Sequence, residues 1–286
     1  MTPVATVIDN VQRGARALRE LSDSPRLDAE LLLGKVLGLS RAGLMARSDE
    51  PLATQSELAY ADLIDRRLQG APVAYLTGTR EFWSLPLTVT PAVLVPRPET
   101  ELLVELALGL LPPGEARSVL DLGTGSGAIA LAIASERARA RVSGVDLSPQ
   151  ALSIARENSC ALGLEVDWRL GYWFEAVPSE RYDVIVANPP YVATGDPALE
   201  SLASEPALAL SSGPTGFEAL EAIIDAAPHH LESGGWLLLE HGRDQHPRVA
   251  RMLERRGFGA IASHHDFSDR PRVTAGTYSV CHKERS

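Results

Sequence analysis

With 286 residues, 45% of them hydrophobic and 22% charged, the chain has room for one large domain and a small one. A formal net charge of −10 argues against avid, sequence-independent nucleic-acid binding, which needs basic surface to neutralise phosphates. Cys160 and Cys281 form no CxxC pair and no disulfide framework, and no uncharged span reaches the ~18 residues of a membrane helix. A cytoplasmic protein without membrane association is expected.

Residues 1–71 read as a bundle of helices. Helix formers run from Val4 to Leu21. Apolar residues recur at helical spacing from Asp28 to Leu37, with Gly38 as C-cap. Arg41 to Ala46 forms a short helix, and Thr54 to Leu68 a longer one ended by Gly70. Residues 72–94 predict a β-hairpin linker, with Ala74 to Gly78 and Glu81 to Val89 as arms around Gly78-Thr79-Arg80. Pro98, with Glu99 and Glu101 behind it, signals the start of a helix over Leu102 to Leu111.

From Ser118 onward strand and helix alternate. Strands are expected at 118–122, 141–146, 164–170, 182–187, 236–240, 258–263 and 276–282. Helices are expected at 128–138, from Ser148-Pro149 to Gly163, at 216–231 and at 245–256. This alternation over residues 95–286 predicts an α/β domain with a seven-stranded, mostly parallel sheet covered on both faces.

The loop Gly123-Thr124-Gly125-Ser126-Gly127 lies between a buried strand and a helix, where glycines let backbone N–H groups approach a ligand. Asp121 precedes it, and a carboxylate there suits a ligand with a cationic amino group. Asp146 ends the next strand, where an acid accepts both hydroxyls of a ribose. A pyrophosphate would be repelled by this pair. S-adenosylmethionine has the amino group and the ribose but no phosphate, so it fits better than a nicotinamide dinucleotide.

Asn188-Pro189-Pro190-Tyr191 follows the strand at 182–187, on the side where open α/β sheets place ligands. Two prolines make the turn stiff. The Asn188 side-chain oxygen and the Pro189 carbonyl suit the two N–H donors of a planar amino group, and Tyr191 suits stacking on it. Such positioning supplies much of a methyl transfer without a covalent intermediate.

Asp-Leu-Gly-Thr-Gly-Ser-Gly at 121–127 with Asn-Pro-Pro-Tyr at 188–191 resembles a class I, Rossmann-like S-adenosylmethionine-dependent methyltransferase. Pro72 to Gly78, Glu81-Phe82-Trp83, Val95 to Glu101, Glu205 to Leu210 and Leu239-Glu240-His241-Gly242 resemble the PrmC/HemK family. That family methylates the side-chain amide nitrogen (N5) of the glutamine in the Gly-Gly-Gln motif of class 1 peptide chain release factors. The resemblance implies a small N-terminal helical domain that docks the protein substrate. It implies that Gly123 to Gly127, Asp146 and Trp173 contact the cofactor, Trp173 by lining the adenine. Asn188 to Tyr191 would bind the glutamine, with Asn188 also near the transferred methyl. The chain departs from the family at Tyr172, where an acid is usual, and at Ser211-Ser212-Gly213-Pro214, to which no role is assigned.

The competing readings are weaker. An adenine N6 or guanine N2 methyltransferase shares the chemistry of the turn but needs a surface for nucleic acid, and none is expected to bind stably here. A non-catalytic module predicts damage to Asn188 or the glycine loop. A nicotinamide dehydrogenase has no use for Asp121 or the prolines. His229-His230 and His264-His265 read as solvated pairs, and His241 as a structural hydrogen-bonding group. Arg97 and Glu99 either cover the cofactor or pair with each other. Asp269 to Arg272 reads as a basic surface loop.

Overall fold

The computed structural model describes residues 5–279. The chain divides into two compact units, one ending at Thr79 and the other starting at Arg80. No helix among the described residues is long and apolar enough to cross a membrane. Val4, Cys281 and the end of the strand expected at 276–282 lie outside the described residues.

The first unit is helical: α1 (Val7–Ala17), α2 (Pro25–Leu37), α3 (Arg41–Ala46), α4 (Thr54–Leu68) and α5 (Val73–Thr77). Thr6 and Asp9 cap α1 reciprocally, each side chain accepting from the other residue's backbone N–H. Gly38 ends α2 in the left-handed conformation and donates to Gly34 O. Val11, Leu18, Ala29, Leu32, Leu33 and Tyr60 form the core between these helices.

The hairpin differs from expectation. Val73–Thr77 is helical, and Gly78 is its left-handed C-cap, not a hairpin turn. The strands are β1 (Thr79–Phe82) and β2 (Leu85–Thr88). Trp83 and Ser84 make the turn with φ of 52° and 58°, the two positive values of a type I′ turn. Two acids hold the bulky tryptophan in this strained place. Glu101 Oε1 accepts from Trp83 N, and Glu136 Oε1 from its indole N–H, both at 2.9 Å.

The second unit continues with α6 (Glu101–Leu110), β3 (Ser118–Leu122), α7 (Ala128–Glu136), β4 (Arg141–Asp146), α8 (Pro149–Leu162), β5 (Asp167–Leu170) and β6 (Tyr182–Ala187). Then follow α9 (Ala198–Ser201), α10 (Ala207–Leu210), α11 (Glu218–His230), β7 (Leu231–Glu240), α12 (His246–Arg255), β8 (Gly259–His265) and β9 (Pro271–Tyr278). Among the described residues seven strands form one sheet in the order β5-β4-β3-β6-β7-β9-β8. β3 to β7 pair in parallel, and β9 runs antiparallel to both of its neighbours. The final strand thus starts at Pro271, earlier than expected, because a short hairpin loop brings it straight back from β8.

Every residue of β3 is buried, as a central strand covered on both faces requires. Its side chains alternate between two cores. Val119 joins Val184, Val186 and the apolar faces of α6 and α7. Leu120 and Leu122 join Ile185, Ala187 and residues of α11 and α12. Ser148 caps α8 by accepting from Ala151 N, and Gly163 ends it with φ 64°, as the sequence signals.

A polar chain crosses the antiparallel edge of the sheet. His241, fully buried, places Nδ1 2.9 Å from Gly242 O and Nε2 2.8 Å from Thr274 Oγ1. A carbonyl only accepts, so Nδ1 carries the proton and Nε2 accepts from the Thr274 hydroxyl. Thr274 then accepts from Ser263, 2.9 Å away. This is the structural role expected of His241. Burial pushes its pKa down to about 4, and the native state therefore holds it neutral.

The unfolded chain protonates this histidine near its ordinary value, so His241 subtracts stability as pH falls from about 6.5 toward about 4. Chemical denaturation of the wild type and His241→Gln isolates that contribution. The wild type is expected to lose about 2 kcal/mol more than the variant between pH 7.5 and 5. Parallel pH profiles for the two proteins would contradict it.

Candidate active site

The sheet reverses its winding between β3 and β6. Successive crossovers lead from β3 outward to β4 and β5, then back across to β6. Such a switch point opens a crevice at the carboxyl ends of the two strands. Leu122 pairs with Ala187 across it, so the next residues, Gly123 and Asn188, stand side by side at its mouth. Both line a cavity of about 320 Å³ together with Gly125, Asp146, Trp173 and Pro190. Asp121, Thr124, Ser126, Gly127, Pro189 and Tyr191 do not line it.

The glycine loop is drawn onto the end of β4. Gly123 N and Thr124 N donate to Val145 O at 2.9 and 3.0 Å, and Gly125 N to Asp146 Oδ2 at 2.8 Å. Asp146 Oδ1 accepts from Ser148 N at 2.8 Å. Each oxygen keeps further acceptor capacity toward the cavity. Burial raises the Asp146 pKa, and these backbone donors oppose the rise.

Gly123 has φ 73°, and a Cβ there would lie 3.3 Å from a ring carbon of Trp173. The indole therefore seals the loop at a point where a side chain would intrude. Trp173 itself has φ 48°, a costly value for an aromatic residue, at the first position of a 3-10 turn over Trp173–Ala176. Gly127 has φ 83° and faces Trp168 Cη2, which would lie 2.8 Å from an added Cβ. On the far side of the loop Asn158 is 1% exposed. Its amide donates to Ser126 O at 2.9 Å and Thr88 O at 3.1 Å, and its oxygen accepts from Thr88 N at 2.7 Å.

Asp121 is fully buried behind the loop. Its Oδ2 accepts from Thr124 Oγ1 at 2.5 Å, while Oδ1 completes no hydrogen bond. Burial pushes its pKa up to about 7, against the pull of the Thr124 hydroxyl and with some help from the Asp146 charge. The acid that the sequence marks is thus an internal charge site beneath the loop.

Asn188 donates from Nδ2 to Thr100 Oγ1 at 3.2 Å. Ala187 pairs with Leu239, so Asn188 and Glu240 follow at the ends of neighbouring strands. Glu240 is 2% exposed, its Oε2 has no hydrogen-bond partner, and burial pushes its pKa up to about 7, a rise that the polar side chains of Thr100 and Asn188 oppose. Pro189 is buried. Tyr191 is packed into the core beside the turn, and burial raises its phenol pKa to about 12, helped by the nearby Glu240.

The outer wall comes from segments to which the sequence reading gave no role. Leu208, Ala209, Ser211, Ser212 and Gly213 line the cavity, as do Leu147 and Tyr172. Val192 N donates to Leu210 O, Ser212 N to Val192 O and Thr194 N to Gly213 O, a short ladder that ties this wall to the Asn188–Tyr191 turn. Arg97 pairs with the buried Glu205, not with Glu99, and Glu205 also accepts from Val95 N at 3.0 Å. The Glu205-Pro206 motif marked this contact, but a partner 108 residues away has no spacing signal. Arg272 is bound to Asp266 at 3.0 Å, so the loop is less basic than its composition suggests. His230 stacks on Phe174 with centroids 4.4 Å apart, and His265 Nδ1 lies 2.8 Å from Asp269 Oδ1.

Comparison with known proteins matches residues 9–78 to the PrmC N-terminal domain and residues 99–262 to the methyltransferase small domain. A release factor glutamine methyltransferase of Xylella fastidiosa is 49% identical over 254 residues, covering 88% of this chain and 92% of that protein. One of Salmonella typhimurium is 46% identical over 261 residues, covering 90% and 94%. One of Pseudomonas aeruginosa is 42% identical over 284 residues, covering 98% and 100%. Among solved structures, the T. thermophilus 16S rRNA N2 G1207 methyltransferase in complex with AdoMet and guanosine matches with a TM-score of 0.52 and 25% identity, over 70% of this chain and 49% of that one. A Pyrococcus furiosus methyltransferase, at 17% identity and TM-score 0.54 over 77% and 100%, shares the fold. The fold is that of a class I methyltransferase, and the methyl donor is S-adenosylmethionine. The chain belongs to the release factor glutamine methyltransferase family.

Proposed function

We propose that the protein methylates N5 of the glutamine in the Gly-Gly-Gln motif of class 1 release factors, with Asn188 orienting the acceptor amide. The observation that carries this reading is the juxtaposition of Gly123, Asp146 and Asn188 around one cavity at the switch point. S-adenosylmethionine supplies an electrophilic methyl group on a sulfonium. The residues present suit it. Asp146 has acceptor capacity for ribose hydroxyls, Gly123 leaves the loop open, and Trp173 gives an apolar wall. Asp121, pushed up to about 7, gives up its proton when a cationic ligand sits on the loop, and then adds a countercharge.

An amide nitrogen is a poor nucleophile because its lone pair is delocalised. Asn188 Oδ1 and the Pro189 carbonyl accept its two N–H bonds, and Pro190 stiffens the turn that presents them. The acceptor is held as its lone pair localises, and a neutral Asn188 does so without fixing a charge on the nitrogen. Tyr191 supports the turn from the core side. Residues 1–71 dock the release factor, a reading supported by the match of 9–78 to the PrmC N-terminal domain. Residues 72–94 serve as linker and 95–286 as the methyltransferase domain. A net charge of −10 favours a protein over a nucleic-acid acceptor.

Tritiated S-adenosylmethionine offered with a release factor, its Gly-Gly-Gln glutamine→alanine form, and RNA tests the acceptor. Label is expected in the first alone; label in RNA alone sinks the reading. Asn188→Ala is expected to lower kcat by roughly 10²–10³-fold while cofactor affinity stays within about 2-fold. Near wild-type turnover in that variant removes the role of Asn188. Asp146→Ala is expected to weaken cofactor binding by about 10–100-fold in calorimetry, through loss of two hydrogen bonds and their loop support. Unchanged affinity there places the ribose elsewhere.

A further inference from the structure

Two stretches with little regular pairing line the same cavity. Pro91 to Arg97 lies outside helix and strand and supplies Ala92, Val93 and Leu94. The wall from Pro206 to Gly213 supplies Leu208 and Ala209. Glu205, just before that wall, joins the two. Its Oε2 accepts from Val95 N at 3.0 Å, and its Oε1 pairs with the Arg97 guanidinium. We infer that Glu205 is a positioning residue for the cofactor: its carboxylate clasps the Pro91–Arg97 strap to the Pro206–Gly213 wall, and the clasp slows cofactor release. The inference rests on the reading that S-adenosylmethionine occupies this cavity.

Neither stretch is held by its own backbone. α10, within the wall, has four residues, far short of a helix that is stable alone. In the strap, Pro91 and Pro96 remove two N–H donors that could pair with a neighbour. Irregular segments of this kind open at low cost. Each is tied to its own side: the wall to the Asn188–Tyr191 turn through Val192, and the strap through Arg80 Nε, which donates to Pro96 O at 3.2 Å. Glu205 ties them to each other, across 110 positions of the chain. Stability alone does not account for a carboxylate whose side chain is 3% exposed, because an apolar residue of similar volume is often neutral or better in such a place. A carboxylate has what an apolar residue lacks, two oxygens that accept from donors on two different segments. A ligand packed against Leu94 and Leu208 leaves faster once those segments part, so the clasp acts on dissociation. The chemistry stays outside it. The hydrogen bonds of the glycine loop and of Asn188 run to Val145, Asp146 and Thr100, and Glu205 has no part in them.

The test chases bound tritiated S-adenosylmethionine with unlabelled cofactor in full-length wild type, Glu205→Ala, Arg97→Met, Arg97→Lys and Asp146→Ala. Calorimetric affinity, melting temperature, and kcat and cofactor KM on a release factor accompany it. Glu205→Ala removes both bonds and is expected to release the cofactor roughly 10–100-fold faster, with the loss falling on cofactor KM and not on kcat. Arg97→Met keeps only the Val95 bond and is expected to release it about 5–10-fold faster. Arg97→Lys restores a cation and is expected to return release to within about 3-fold of wild type. A merely structural role would lower the melting temperature and leave release unchanged. Should Glu205→Ala not fold, the Met and Lys pair decides alone. Wild-type release in Glu205→Ala or Arg97→Met, equal release in Arg97→Met and Arg97→Lys, or a loss confined to kcat overturns the inference. Unchanged affinity in Asp146→Ala overturns instead the placement of the cofactor beneath it.

Discussion

The parallel pairing of β3 with β6 is the constraint from which the site follows. It sets Leu122 opposite Ala187, and thereby the end of the glycine loop beside the asparagine of the proline turn. Neither residue could find the other through local structure, since they are 65 positions apart in the chain. The pairing is secured by burial on both faces, with Val119 and Val186 toward one core and Leu120 and Ile185 toward the other. A register slip of one residue would reverse those faces, so hydrophobic alternation also fixes which groups meet at the crevice.

Three acids gather behind this crevice: Asp121, Asp146 and Glu240. Burial raises the pKa of each. Such an arrangement is unfavourable for a pyrophosphate and favourable for a cation. On the proposed reading, Asp121 and Asp146 would match the charge of the methyl donor, being costly to ionise without it. The acceptor side would, on that reading, be met by neutral groups and backbone carbonyls, because the amide begins and ends the reaction uncharged.

The alternation of elements after Ser118, the caps at Ser148 and Gly163, and the helices at 41–46 and 54–68 were legible because each rests on local chemistry. The hairpin was misplaced because Gly78 has two local meanings, turn and left-handed helix end, and the second applied. The real turn at Trp83-Ser84 carries no glycine or asparagine; it depends on Glu101 and Glu136, which come later in the chain. Within the site, Gly123, Gly125, Asp146, Trp173, Asn188 and Pro190 were legible from motifs and meet as expected around the cavity. The burial of Asp121, the Leu208–Gly213 wall and the hydrogen bond from Asn188 to Thr100 were not. Each depends on tertiary neighbours that no spacing rule encodes.

Asn158 joins two parts of the chain through one side chain, β2 at Thr88 and the glycine loop at Ser126. Its two amide hydrogens face carbonyls, so a carboxylate in the same place would meet oxygen with oxygen. Asparagine is a thermolabile residue whose amide is lost by slow hydrolysis. Here that ageing reaction would uncouple the hairpin from the cofactor loop in one step. The burial that makes Asn158 a good joint also shields it from water, so the working life of the loop is tied to how seldom α8 opens.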